Sequence, residues 1–273
     1  MSLREKYNTC TEKLNTDLDT ITQAFINIYG SEHTDYIIDR FNNLNIIWYD
    51  DEMQTFDDIR NVIVTSLPDE IVDEYLKKFK EKCFSQSAYI DEANLLVLPL
   101  SYNLTHIIHE MNHMISSHIL SKKPLRIISG LCVTIEKNGG VVSNDSDLNE
   151  LINQKITIDT LQELKRLRMK VIVTPSWQEK LFPLIDTFYE TFKEEVKKVY
   201  VTGNLLSFIR NVGEENYINF TQTIFLKCFK ARGKIAKEEH EIISQSDINQ
   251  IESKVYTMKD FNEKQNIENP QKY

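Results

Sequence analysis

His106 to His113 reads His-Ile-Ile-His-Glu-Met-Asn-His, and within it His109, Glu110 and His113 spell H-E-x-x-H. Residues four apart on a helix stack on one face, so His109 and His113 can each turn a ring nitrogen toward a single metal ion. Glu110 follows the first of them, where its carboxylate can reach a metal-bound water without itself binding the metal. That is the position a general base needs. His106 stands one turn before His109, and His118 stands five residues past His113 on a different face. We expect both to be structural, His106 as a core histidine bonded to a carbonyl.

The elements around the motif must hold it in a core. Asn94 to Leu98 reads as a short buried strand, and Ser101 to Thr105 can open a helix directly after it. That helix is expected to continue through Ile107, Ile108, Met111, Met114, Ile115 and Ile119, apolar around most of its circumference. Beyond it, Gly130 to Ile135 and Val141-Val142 flank Lys137-Asn-Gly-Gly140, a strong hairpin signal. Ser146 or Asp147 can then cap a helix that carries Glu150 in its first turns. Two histidines are too few for a catalytic zinc, which commonly takes three protein ligands and a water. Glu150 and Glu136 are the candidates for the third.

His109-Glu110-Met-Asn-His113 followed by Asn149-Glu150-Leu-Ile-Asn153-Gln154 resembles the gluzincin metallopeptidases, the thermolysin-like class. Their second helix carries N-E-x-x-S/T-D, with the Glu as third zinc ligand. More narrowly, the Leu-Asn-Glu phrase some forty residues past the motif resembles zinc-peptidase-like proteins of low-GC Gram-positive bacteria. The resemblance covers Asn94 to Gln154. It implies Zn2+ held by His109, His113 and Glu150, Glu110 as the base, and Asn149 and Gln154 supporting the ligands. It also implies a zincin-like fold with the active-site helix packed on a small sheet. The chain departs from the family at Gln154, where an Asp usually accepts a hydrogen bond from the first ligand histidine. Glutamine offers a carbonyl oxygen there but no charge, so it raises the imidazole's basicity less. Asn153 replaces the small hydroxyl residue.

Composition sets the class. The 273 residues are 41% hydrophobic and 27% charged, with a formal net charge of -9 that gives no reason to expect nucleic acid. No stretch is apolar enough to span a membrane, and Met1 to Asn8 lacks the apolar core of a signal peptide, so a cytoplasmic protein is expected. Cys10, Cys83, Cys132 and Cys228 are far apart and are expected to be free thiols. Only seven glycines and six prolines punctuate the chain, which favours long helices. The fold class that follows is mainly α (α+β).

We divide the chain into a helical N-terminal part (1–86), a core carrying the metal site (87–158), a helical C-terminal part (159–261) and a polar, frayed tail (262–273). Leu3 to Ile28 has helical spacing up to a stop at Gly30, a second helix runs through Tyr36 to Phe41, and Ile46 to Tyr49 is a strand candidate. Further helices are expected over Phe56 to Val64, from Ser66 to Phe84, from an Asp159 cap, and from the Ser176-Trp-Gln-Glu179 capping box. Others follow over Leu205 to Val212, Tyr217 to Phe229 and Ile235 to Met258, with Gly213 and Gly233 as stops. A peptidase also needs an oxyanion donor, and Tyr189, Tyr200, Tyr217, Arg210 and His240 are all candidates.

The expected activity is zinc-dependent hydrolysis of a peptide or protein substrate, with a regulatory peptidase acting on one dedicated protein as a variant of it. The alternative is a non-catalytic zinc- or peptide-binding protein on the same scaffold. The sequence leaves the oligomeric state open.

Overall fold

Ser2 and Gly30 bracket the first helix. In the computed structural model, which describes residues 2–49, 87–91, 94–122, 124–137, 140–239 and 241–268, Ser2 and Glu5 form a reciprocal capping box at the start of α1 (Leu3–Tyr29). Gly30, at φ 105°, closes it by donating its N–H to the Ile26 carbonyl. The stripe Tyr7, Cys10, Leu14, Ile21 and Phe25 is buried. The helices expected over Phe56 to Val64 and Ser66 to Phe84 lie outside the described residues. Within those residues the protein is mainly helical with two small sheets.

The fold divides into two compact units, Met1–Ile115 with Ile156–Thr174, and Ser116–Lys155 with Pro175–Tyr273. In the first, α2 (Thr34–Asn42) follows α1, and three strands form a sheet in the order β1-β3-β2. These are β1 (Asn45–Tyr49), β2 (Ala88–Ile90) and β3 (Leu95–Pro99), with β1 parallel and β2 antiparallel to the central β3. Leu95 to Leu98 of β3 are buried at every position, as expected of a strand covered on both faces.

Strand β3 leads into α3 (Leu104–Ser116), which carries the histidine motif. Asn103 starts this helix, its Oδ1 accepting the N–H groups of Thr105 at 3.1 Å and His106 at 3.4 Å. At the other end Arg40 donates to the Met114 carbonyl at 2.7 and 3.1 Å, and the Tyr36 hydroxyl donates to the Ile115 carbonyl at 2.7 Å. A guanidinium on the last carbonyls satisfies acceptors that lack an intrahelical partner and complements the helix dipole. Arg40 also reaches the Tyr89 hydroxyl at 2.6 Å, tying α3 to β2. Burial pushes the Tyr36 phenol up to about 12, although the Arg40 charge opposes the shift.

The expectation that this helix runs through Ile119 is corrected. It ends at Ser116, and Ser117 begins a strand whose backbone pairs with Leu125–Ser129. The second unit is built on an antiparallel meander of β4 (Ser117–Lys122), β5 (Leu125–Ser129), β6 (Cys132–Lys137) and β7 (Gly140–Asn144). Lys137 pairs with Gly140 at the end of the expected Asn-Gly hairpin.

Next comes α4 (Ser146–Arg166), one continuous helix where two had been expected. Asp159 lies inside it and is no cap, because Ile156, Thr157, Thr160 and Leu161 on either side of it are buried and keep the helix packed. The Ser176–Glu179 capping box is present, but it opens a 3-10 segment (Trp177–Leu184) containing Pro183, and α5 (Asp186–Thr202) follows. Then come α6 (Leu205–Val212), α7 (Glu214–Ala236) and α8 (Gln245–Glu268). Gly233 sits within α7 and is not a stop, and α8 extends into the stretch expected to fray at Asn262. Phe188, Phe192, Phe208, Tyr217 and Phe220 form the aromatic centre of this unit, with Phe188 stacked on Phe220 at 4.6 Å.

Cys10, Cys132 and Cys228 are buried thiols in no disulfide. Among the described residues no helix is long and apolar enough to cross a membrane.

Replacing the cap at the start of α3 tests this account of the helix. Asn103→Ala should destabilise the protein by about 1 kcal/mol in urea unfolding, and Asn103→Asp should restore most of that loss.

Candidate metal centre

His109 and His113 occupy consecutive turns of α3, their rings edge-to-face at 74° with centroids 5.0 Å apart. Together with Glu150 of α4 they form a group in which one possible ligand atom from each residue lies within 4.8 Å of the others. All three side chains are partly exposed, as ligands of an accessible ion must be. Two imidazoles and one carboxylate are a donor set suited to zinc, and they leave a coordination position for water. Glu136, the rival third ligand, lies on β6 opposite Val141, and its side chain is outside the described residues.

Glu110 is 7% exposed, and its Oε1 accepts a hydrogen bond from the Ser87 hydroxyl at 2.9 Å. That contact fixes the carboxylate at the start of β2 and leaves its second oxygen for other partners.

Why α3 presents this face follows from Asn112, which lies between the two histidines in sequence and is fully buried. Its Oδ1 accepts the Tyr29 hydroxyl at 2.8 Å, and its Nδ2 donates to Thr157 Oγ1 at 3.1 Å. One amide therefore joins α3 to α1 and to α4. Satisfied polar bonds in a core set rotation and register more sharply than apolar packing does. Glu150, Asn153 and Thr157 recur at helical spacing, so the face of α4 that meets Asn112 also carries Glu150 two turns earlier, about 10 Å along the axis.

The first turns of α4 are held separately. Asn149 Oδ1 accepts the Leu131 N–H at 2.9 Å and the Tyr200 hydroxyl at 3.1 Å. Gly130, at φ 57°, makes the turn that brings Leu131 there. A Cβ at Gly130 would lie 2.4 Å from Asn149 Oδ1 and 2.5 Å from the Tyr200 ring. Asn149 thus anchors the helix that carries Glu150. Gln154 donates its Nε2 to Glu179 Oε1 at 3.4 Å, and the same oxygen accepts the Ser176 N–H.

The remaining candidates separate clearly. His106 is exposed, which corrects its reading as a core histidine. Desolvation by the surrounding protein lowers its pKa, opposed by the Glu110 carboxylate one turn away. His118 is structural, its Nε2 lying 2.7 Å from the Tyr200 carbonyl. Of the oxyanion candidates, Tyr189, Tyr200 and Tyr217 are buried, with the Tyr200 hydroxyl on Asn149 and the Tyr217 hydroxyl 3.5 Å from the Leu131 carbonyl. Arg210 is exposed on α6, and His240 lies outside the described residues.

Sequence reading missed Ser87, Asn112 and Thr157. Asn112 and Thr157 did leave a signal, each being a polar residue on the apolar face of its helix.

No protein-family model, no curated protein and no solved structure matches the chain.

The Asn112–Thr157 bond yields a direct test. Thr157→Val keeps the shape but leaves a buried amide donor without its acceptor, so urea unfolding should report a loss of about 1–3 kcal/mol. Thr157→Ser, which keeps the hydroxyl, should lose much less.

Proposed function

We propose that this chain is a zinc-dependent metallopeptidase of gluzincin type. The observation that carries the reading is the convergence of His109, His113 and Glu150 on one point, with Glu110 adjacent on the same helix. Helix α3 contributes the two histidines and α4 the glutamate.

Zinc held by the three side chains would polarise the scissile carbonyl and acidify the attacking water. Glu110 then performs the proton transfers. Its carboxylate accepts the water's proton as the nucleophile attacks and later delivers that proton to the leaving amine nitrogen. The Ser87 hydroxyl orients Glu110 through one carboxylate oxygen, leaving the other to face the reaction. Asn112 and Asn149 set the two helices that present the ligands. The substrate is a peptide or protein segment.

The second reading, a zinc- or peptide-binding protein without turnover, is favoured by Gln154. Its uncharged amide stands at the place where the gluzincin pattern has a carboxylate, and its nitrogen is engaged by Glu179. Retention of Glu110 beside the first histidine supports the catalytic reading over this one.

Glu110→Gln separates the two. The variant should keep its zinc and lose peptide hydrolysis by at least about a hundredfold against a mixed peptide library with mass-spectrometric detection. Equal cleavage by wild type and Glu110→Gln would remove the mechanism. Zinc binding with no cleavage by wild type would favour the binding protein.

A further inference from the structure

Helix α7 is apolar on two faces, and only one of them is buried. Tyr217, Phe220, Ile224, Cys228 and Ala231 pack into the second unit. Ile218, Phe225, Leu226 and Phe229 recur at helical spacing on the other side and are exposed, Phe225 by 58% and Phe229 by 68%. This stripe runs about 16 Å along the helix. A solvated helix face ordinarily carries charged and polar side chains, and a continuous apolar stripe marks an interaction surface.

The stripe does not stand alone. Ile218, Phe225 and Leu226 line a groove of about 650 Å³ together with Ser143 at the end of β7, Asp145 in the turn that follows and Asp147 in the first turn of α4. Among the described residues no lysine or arginine lines it. Asp147 is neutralised by an ion pair with Arg232, which also lies over the Trp177 ring. Asp145 differs. It is half-buried at φ 62°, and its hydrogen-bond partner is Thr221 of α7, an uncharged group. A carboxylate desolvated by the groove without a cation against it is stabilised by any cation delivered there.

We propose that this groove docks a basic amphipathic segment of a partner protein, with apolar side chains on Phe225, Leu226 and Phe229 and a lysine or arginine against Asp145. The geometry is that of a helix lying in an apolar groove. Charge complementarity selects the occupant, because the chain carries a net charge of -9 and the groove adds the Asp145 carboxylate, which among the described residues is bonded to an uncharged hydroxyl. A second copy would bring the same net negative charge. The surface is independent of the metal centre, since no residue of it is a proposed ligand.

The test is fluorescence anisotropy with two labelled synthetic helices, one of leucine and lysine and one of leucine and glutamate. The full chain should bind the lysine helix and not the glutamate helix. Asp145→Asn should weaken that binding by about tenfold, and Phe225→Ser combined with Phe229→Ser should abolish it. Both changes lie at the surface, and circular dichroism should show unchanged helix content. Binding of the lysine helix that survives the double serine variant would reflect net charge alone and overturn the proposal. So would no binding by wild type, or a wild-type dimer in sedimentation that the serine changes dissociate, since a second copy would then be the occupant.

Discussion

Two histidines one helical turn apart can share an ion, but they cannot hold a catalytic one without a third donor brought to the same point. The proposed site depends on that constraint. Its proposed third donor, Glu150, comes from α4, a helix separated from α3 in sequence by the whole four-stranded meander. Its placement therefore rests on how α4 is fixed, and two buried polar contacts fix it. The Asn112 amide bonds Thr157 in the later half of α4, and the Asn149 amide takes up the turn at Gly130–Leu131 beside its start. Asn112 reaches α4 through its amide nitrogen and Asn149 holds the turn through its amide oxygen, and each amide oxygen also accepts a tyrosine hydroxyl, from Tyr29 in one case and Tyr200 in the other. Directional bonds of this kind hold a helix in one rotation, which apolar packing alone would leave less well defined.

Continuity of α4 is what makes these contacts effective. A break at Asp159, as the capping preference of that residue suggests, would have loosened the link between the two ends. The buried positions Ile156, Thr157 and Thr160 override it, since a half-buried acidic residue costs little inside a helix whose other faces are packed. The same override explains Gly233, which has open space around its α-carbon and sits in α7 at the modest penalty of an interior glycine.

The sequence named the residues of the candidate site more readily than the boundaries of the elements. H-E-x-x-H spacing and the Asn149-Glu150 phrase name the residues that the fold brings together, because each side chain's chemistry is local to it. The end of α3 was not legible, because Ile115 and Ile119 continue the helical pattern and the β4–β5 pairing that replaces it is a long-range contact. His106 looks like a core residue by its apolar neighbours, yet Ile107 and Ile108 turn inward and leave it outside. The tyrosines were a different case. Their hydroxyls could serve chemistry or structure equally well by type, and only burial shows that Tyr200 and Tyr217 are spent on structure.

The central claim is that three side chains from α3 and α4 make one zinc site, and metal content tests it most directly. Protein purified without added metal should contain one zinc per chain by plasma mass spectrometry. Glu150→Ala should lose it or hold it at least about tenfold more weakly against a chelator, while circular dichroism stays unchanged. No metal in wild type even after zinc is supplied, or undiminished zinc in Glu150→Ala, would contradict the account.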